Sequence, residues 1–181
     1  MTRTSINRHC AAAAFALAIL VAAGGANALD AAYSHKGPFA GFGLGGGVSL
    51  MGGGELTPLG DVGLALQAGV GANDHITLAF NLDMRLEIGN EMTMGLFVPG
   101  PELTFFLVKG LFLQVGVGLA IATSDDIGGT AIGLDAGAAL GYEFWVNTNW
   151  AAYLSGGVDY FLLNDASDVV NFGLWFGLKY Y

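Results

Sequence analysis

Between Val170 and Tyr180 every even position is apolar, while the odd positions from 171 to 181 read Asn171, Gly173, Trp175, Gly177, Lys179 and Tyr181. A two-residue period sends alternate side chains to opposite faces of a strand, so one face is greasy and the other is mixed, small and polar. The same alternation recurs upstream. In the segment at about 38–50, Ala40, Phe42, Leu44, Val48 and Leu50 alternate with Gly41, Gly43, Gly45, Gly47 and Ser49. At about 61–72, Val62, Leu64, Leu66, Ala68 and Val70 share a face opposite Gln67. At about 75–89 the row Ile76, Leu78, Phe80, Leu82, Met84, Leu86 and Ile88 alternates with Asn81, Asp83, Arg85 and Glu87, which no helical period accommodates.

The fourth segment is interrupted by Pro99 and Pro101. Proline removes a ladder donor, so the regular part is expected from Glu102, with Leu103, Phe105 and Leu107 on the apolar face. Three further segments lie at about 111–122, 130–144 and 150–161. Their polar faces carry Gln114, then Asp135 and Glu143, then Tyr153, Ser155 and Asp159. With the terminal one this makes eight strands, an even number that closes an antiparallel meander. Closure matters because an open edge would leave unpaired backbone groups in hydrocarbon. The pattern therefore predicts an all-β fold, an eight-stranded antiparallel up-and-down transmembrane β-barrel.

The links alternate in length. Short turns are expected at 73–74, 108–110 and 146–149, and longer loops at 51–60, 89–100, 123–129 and 162–168. Short turns belong on the periplasmic side, which places both termini there. Tyr142, Phe144, Trp150 and Tyr180 then fall at one height on the lipid face, as an interfacial aromatic belt requires.

Residues 1–28 read as a cleaved signal peptide: Arg3 and Arg8 at the start, an apolar run at 11–23, and Ala26-Asn27-Ala28 as the cleavage site. The barrel domain is then 29–181. Cys10 leaves with the leader, so no disulfide or thiol chemistry is expected. All 15 acidic residues but only four of the six basic ones lie after Ala28, a balance of 4 minus 15, or -11, which excludes nucleic acid as a partner.

At this point the chain resembles the small eight-stranded outer-membrane barrels of Gram-negative bacteria, in the broad OmpA/OmpX-like sense, over 38–181. The resemblance rests on architecture and the terminal strand. In that family the last strand carries an assembly signal, which Leu178 and Tyr180 match, while Trp175 stands at the glycine place and Tyr181 follows as an extra residue. The resemblance implies recognition by the barrel-insertion machinery, residence in the bacterial outer membrane among lipid and lipopolysaccharide, and a monomer.

The inward polar set, Asn81, Asp83, Arg85, Glu87, Glu102, Asp135, Glu143, Asp159 and Lys179, is the candidate site. It reads either as a paired polar core or as a gated, cation-preferring path. An eight-stranded barrel is only just wide enough for side chains to fill it, and Phe39, Phe106, Phe112, Tyr153, Phe161 and Trp175 are available to do so beside the interior glycines. Arg85, the sole inward arginine, is expected to pair with Glu102 on the neighbouring strand, or with Asp135 or Asp159 across the lumen. No catalytic residue is expected. A hydrolase would need a nucleophile beside a base at the outer rim, and His35 and His75 both fall at the periplasmic side. Two separated histidines make no metal site, and no cofactor is expected. The acidic outer loops, including Asp125-Asp126, read as a solvated rim or as a site for divalent-cation bridging to lipopolysaccharide phosphates. Function is thereby narrowed to a non-enzymatic structural, envelope or surface-exposed barrel, with a narrow pore for ions or small solutes as the rival.

Overall fold

The computed structural model describes residues 34–52, 57–89, 93–108, 110–124, 129–164 and 168–181. The expected signal peptide, Lys109 and the acidic residues Glu55, Glu91, Asp125, Asp126 and Asp165 lie outside these. Eight strands follow in order: β1 (Gly37–Met51), β2 (Thr57–Asn73), β3 (Ile76–Ile88), β4 (Thr93–Val108), β5 (Leu111–Ser124), β6 (Gly129–Trp145), β7 (Trp150–Leu163) and β8 (Val169–Tyr180). Each pairs antiparallel with the next, and β8 pairs with β1, from Ala40↔Tyr180 to Met51↔Val169, to close the barrel. Each strand thus has a paired neighbour on both sides, which leaves the barrel without an open edge.

Alternation along each strand decides the two surfaces. Leu44, Val62, Phe80, Val117, Leu134 and Phe176 each keep more than half of their surface exposed on the outside. The intervening residues point inward and are buried, among them Arg85, Glu87, Glu143 and Lys179. A continuous apolar exterior around a charged interior inverts a water-soluble protein, and its solvent is lipid. Val117→Arg is accordingly expected to cost about 2–4 kcal/mol in a urea titration of the barrel refolded in lipid vesicles, because it puts a charge on the lipid face. Gly116→Ser, one residue away and inward, should cost far less.

The strands run further than the alternation predicts, chiefly at one end. β4 begins at Thr93 rather than near Glu102, and it pairs with β3 throughout, including Leu82↔Pro99 and Phe80↔Pro101. The prolines are tolerated because the side they fail to serve faces β5, where the ladder breaks between Phe97↔Ile121 and Glu102↔Gly116. The expected loops shrink to the links 52–56, 89–92, 125–128 and 164–168. This is the loop end. At the opposite, turn end, the links are 74–75, 109–110 and 146–149. There the His75 amide is held by the Asn73 side chain at 2.8 Å, and Gly110 takes a left-handed φ of 86° that favours glycine.

Of the expected aromatic belt, Trp150 and Tyr180 lie exposed with ring centroids 5.2 Å apart. Tyr142 departs from it, being 7% exposed; its ring lies against the turn at Gly110, which covers it.

Candidate functional site: the barrel interior

From the loop end inward, one half of the lumen is apolar. Met94, Leu96 and Val98 of β4 pack with Ala120 and Ala122 of β5, Ala131 of β6, Phe161 and Leu163 of β7 and Val169 of β8. Met94, Leu96 and Val98 fall in the stretch expected as a loop, and they point inward because β4 continues beyond the prolines. The facing wall is polar. The Asn171 amide donates to Ser49 Oγ at 2.8 Å and to Asp61 Oδ2 at 2.6 Å, and Glu87, fully buried, stands opposite Asp61 in the β2–β3 register.

Arg85 bridges the lumen at the next level. Its Nε and Nη2 donate to Asp83 Oδ2 at 2.8 and 2.6 Å, Nη2 also reaches Asp159 Oδ2 at 2.5 Å, and Nη1 donates to Asn171 Oδ1 at 2.6 Å. Three strands, β3, β7 and β8, are thereby tied through one guanidinium. Trp175 and Phe161 offer ring faces at 5.2 and 5.5 Å, so the cation is enclosed by carboxylates and π-faces together. Of the partners considered for Arg85, Glu102 and Asp135 are overturned. Arg85 stands opposite Leu96, and Glu102 lies six places along, opposite Ala79, because β4 starts nine residues earlier than its prolines suggest. Asp159 takes the cross-lumen place.

Beyond Arg85, between it and the turn end, the lumen opens into a chamber of about 100 Å³. Small residues make it: Gly100, Gly116, Gly137 and Gly157 line its wall, and a Cβ on Gly116 would meet nothing nearer than the Pro101 carbonyl at 3.6 Å. Asn81, Asp83, Glu102 and Asp135 also line it, with Gln67, which is Asn81's direct neighbour across the β2–β3 ladder.

The turn end is closed by a second, aromatic layer. Lys179, 1% exposed, pairs with Glu143 at 3.0 Å and lies 5.1–5.9 Å from the rings of Tyr153, Phe112, Phe39 and Phe106. Residues 34–36, just before β1, lay His35 over this layer. Its ring stacks on Phe106 at 3.7 Å, with Trp145 and Tyr181 at 5.7 and 5.5 Å. His35 Nε2 faces Glu143 Oε1 at 3.0 Å and Nδ1 faces the Asp74 carbonyl at 3.2 Å, so both ring nitrogens lie against acceptors. The Tyr181 hydroxyl donates to the same Glu143 oxygen at 2.9 Å; burial, reinforced by that carboxylate, pushes this phenol above its usual range. At the rim, the Ser34 hydroxyl and then Lys36 hold the Asp74 carboxyl below the usual carboxylate range. The segment lies so close to Gly71 that a Cβ there would collide with the His35 carbonyl.

Eight of the nine candidate residues therefore fall into three groups. Asp83, Arg85 and Asp159 form one network, Asn81, Glu102 and Asp135 line the chamber, and Glu143 with Lys179 lies at the turn end, while Glu87 stands apart near the loop end. Asn171, Gln67, His35 and Tyr181 were not among the candidates. For Asn171 and Gln67 the inward parity was a usable signal; for His35, which precedes the first strand, no periodicity exists to place it.

No protein-family model matches the chain, and no curated protein matches it. Among solved structures, Neisserial surface protein A is similar at 17% identity with a TM-score of 0.59, over 80% of this chain and 99% of its own. Ail, the attachment invasion locus protein of Yersinia pestis, is similar at 16% identity with a TM-score of 0.56, again over 80% and 99%. These likenesses show the fold, that of the small eight-stranded outer-membrane barrels.

Proposed function

We propose that this chain, exported by residues 1–28 and inserted as the domain 29–181, is a closed, non-enzymatic barrel of the bacterial outer membrane with a structural, envelope role. The turn end faces the periplasm and the loop end faces outward. The observation that carries the reading is the double closure of the lumen. The apolar cluster around Phe161 stands at one end, and the layer of Phe106, Phe112, Tyr153 and His35 stands at the other. Between them Arg85 ties three walls together. A lumen interrupted at three levels supports a structural role better than a conduit. The expected surroundings are lipid and lipopolysaccharide, with the terminal strand read by the insertion machinery and the barrel acting as a monomer.

Planar-bilayer recording of the refolded protein tests this. No steady conductance is expected. A stable cation-selective current, abolished by neutralising Asp83, Asp135 and Asp159 together, would replace the structural role with that of a narrow pore.

A further inference from the structure

The turn end holds a slot that the chain fills from outside its own ladder. Residues 34–36 lie ahead of the first β1–β2 pair, Gly37↔Gly71, yet His35 is buried. Its ring lies nearly flat on Phe106, at 3.7 Å and 18°, and meets the Tyr181 ring edge-on, at 5.5 Å and 72°. One ring nitrogen faces the Glu143 carboxylate and the other the Asp74 carbonyl. These walls belong to β4, β6, the β2–β3 turn and the chain end, so they are parts of the barrel and not of the segment they enclose. Gly71 completes the seat, because a Cβ there would collide with the His35 carbonyl and stand 3.3 Å from Lys36 Cα. On either side of the ring the hold is slight. Ser34 and Lys36 both reach Asp74 at the exposed rim, and the Lys36–Asp74 pair at 3.2 Å, open to water on both partners, adds little.

We propose that this slot is a binding site for a flat nitrogen heterocycle of the imidazole class, and that His35 is its tethered, exchangeable occupant. Flatness is set by the Phe106 face. The nitrogens are set by the two acceptors, to which a phenyl ring of the same size would offer nothing. A short tether keeps its ring at an effective concentration on the order of millimolar, so a free ligand takes the slot only above that level. Residues 34–36 thereby act as a built-in competitor. Below the threshold they cover the turn end, and a group of the same chemistry presented above it would take the slot and release them. The proposal concerns the mouth of the barrel and is independent of whether the lumen conducts.

The test is a urea titration of the His35→Gly barrel, refolded in lipid vesicles at neutral pH, with and without free imidazole. A ligand that binds only the folded state raises the unfolding midpoint with the logarithm of its concentration. The His35→Gly midpoint is expected to lie below that of the unaltered barrel and to climb with each tenfold increase in imidazole. It should climb less with 1-methylimidazole, whose methyl group blocks one of the two nitrogens. In the unaltered barrel the increment should be far smaller, because the tethered ring competes. A His35→Gly midpoint indifferent to imidazole, an equal increment in the unaltered barrel, or an equal response to 1-methylimidazole would overturn the site. Should His35→Gly not refold, the unaltered barrel decides through amide exchange at Lys36. Exchange that quickens once imidazole passes the tether's effective concentration supports the exchangeable occupant, and exchange indifferent to imidazole overturns it. A bilayer current would count against the closed lumen alone and leave this result untouched.

Discussion

Arg85→Met is expected to destabilise the folded barrel by about 3–5 kcal/mol, the scale of breaking a buried ion pair from one side. Methionine keeps much of the volume between Trp175 and Phe161, so the loss falls on charge and hydrogen bonding. Asp83 and Asp159 would then face each other across the lumen without a cation, and Asn171 would lose its donor. In an Asp159→Asn background the same substitution should cost markedly less, because one of the stranded charges is already gone. The readout is a urea titration in vesicles followed by tryptophan fluorescence, with Trp175 reporting from 5.2 Å. Strict additivity of the two substitutions would mean that Arg85 and Asp159 do not interact. The same cycle with Glu102→Gln should be additive, since Glu102 makes no contact with the guanidinium and stands opposite Ala79.

How much of this was legible in the sequence depends on which physical constraint fixed each part. The outward rows were legible because lipid imposes one rule on every strand: a row such as Ile76 to Ile88 admits only one orientation. The interior obeys several rules at once. Parity alone tells that Asp83, Arg85 and Asp159 point inward, but their meeting depends on register, and register in turn depends on where β4 begins. Pro99 and Pro101 look like a boundary in sequence, whereas in the barrel they fall where the ladder to β5 is missing and β3 pairing continues past them. The apolar inward trio Met94, Leu96 and Val98 was hidden by that boundary, and with it the closure of the loop end. His35 was hidden differently. A residue outside any periodic segment takes its position from tertiary contacts, here an aromatic layer and two acceptors drawn from three other parts of the chain.

The turn end offers the second large effect. Glu143→Gln is nearly isosteric and leaves an amide beside Tyr181 and His35, yet it removes the only carboxylate paired with Lys179 among the described residues. Lys179 is 1% exposed and ringed by four aromatic faces, which temper the charge but do not neutralise it. An ammonium stranded in that layer should cost about 3–5 kcal/mol in the urea titration. Adding Lys179→Met should restore most of it, since removing both charges from a packed apolar layer is close to neutral where removing one is not. His35 provides an independent readout. With Glu143 gone its Nε2 loses an ionised acceptor, so amide exchange at Lys36, just before β1, should quicken in the single variant. A single variant that keeps wild-type stability would show that Lys179 does not need Glu143. A double variant worse than the single would show that the layer depends on the lysine stem, with the charge pair secondary. Recovery in the double variant, with exchange at Lys36 still fast, would separate the two duties of Glu143: neutralising the buried lysine inside the barrel, and fastening the segment that covers its end.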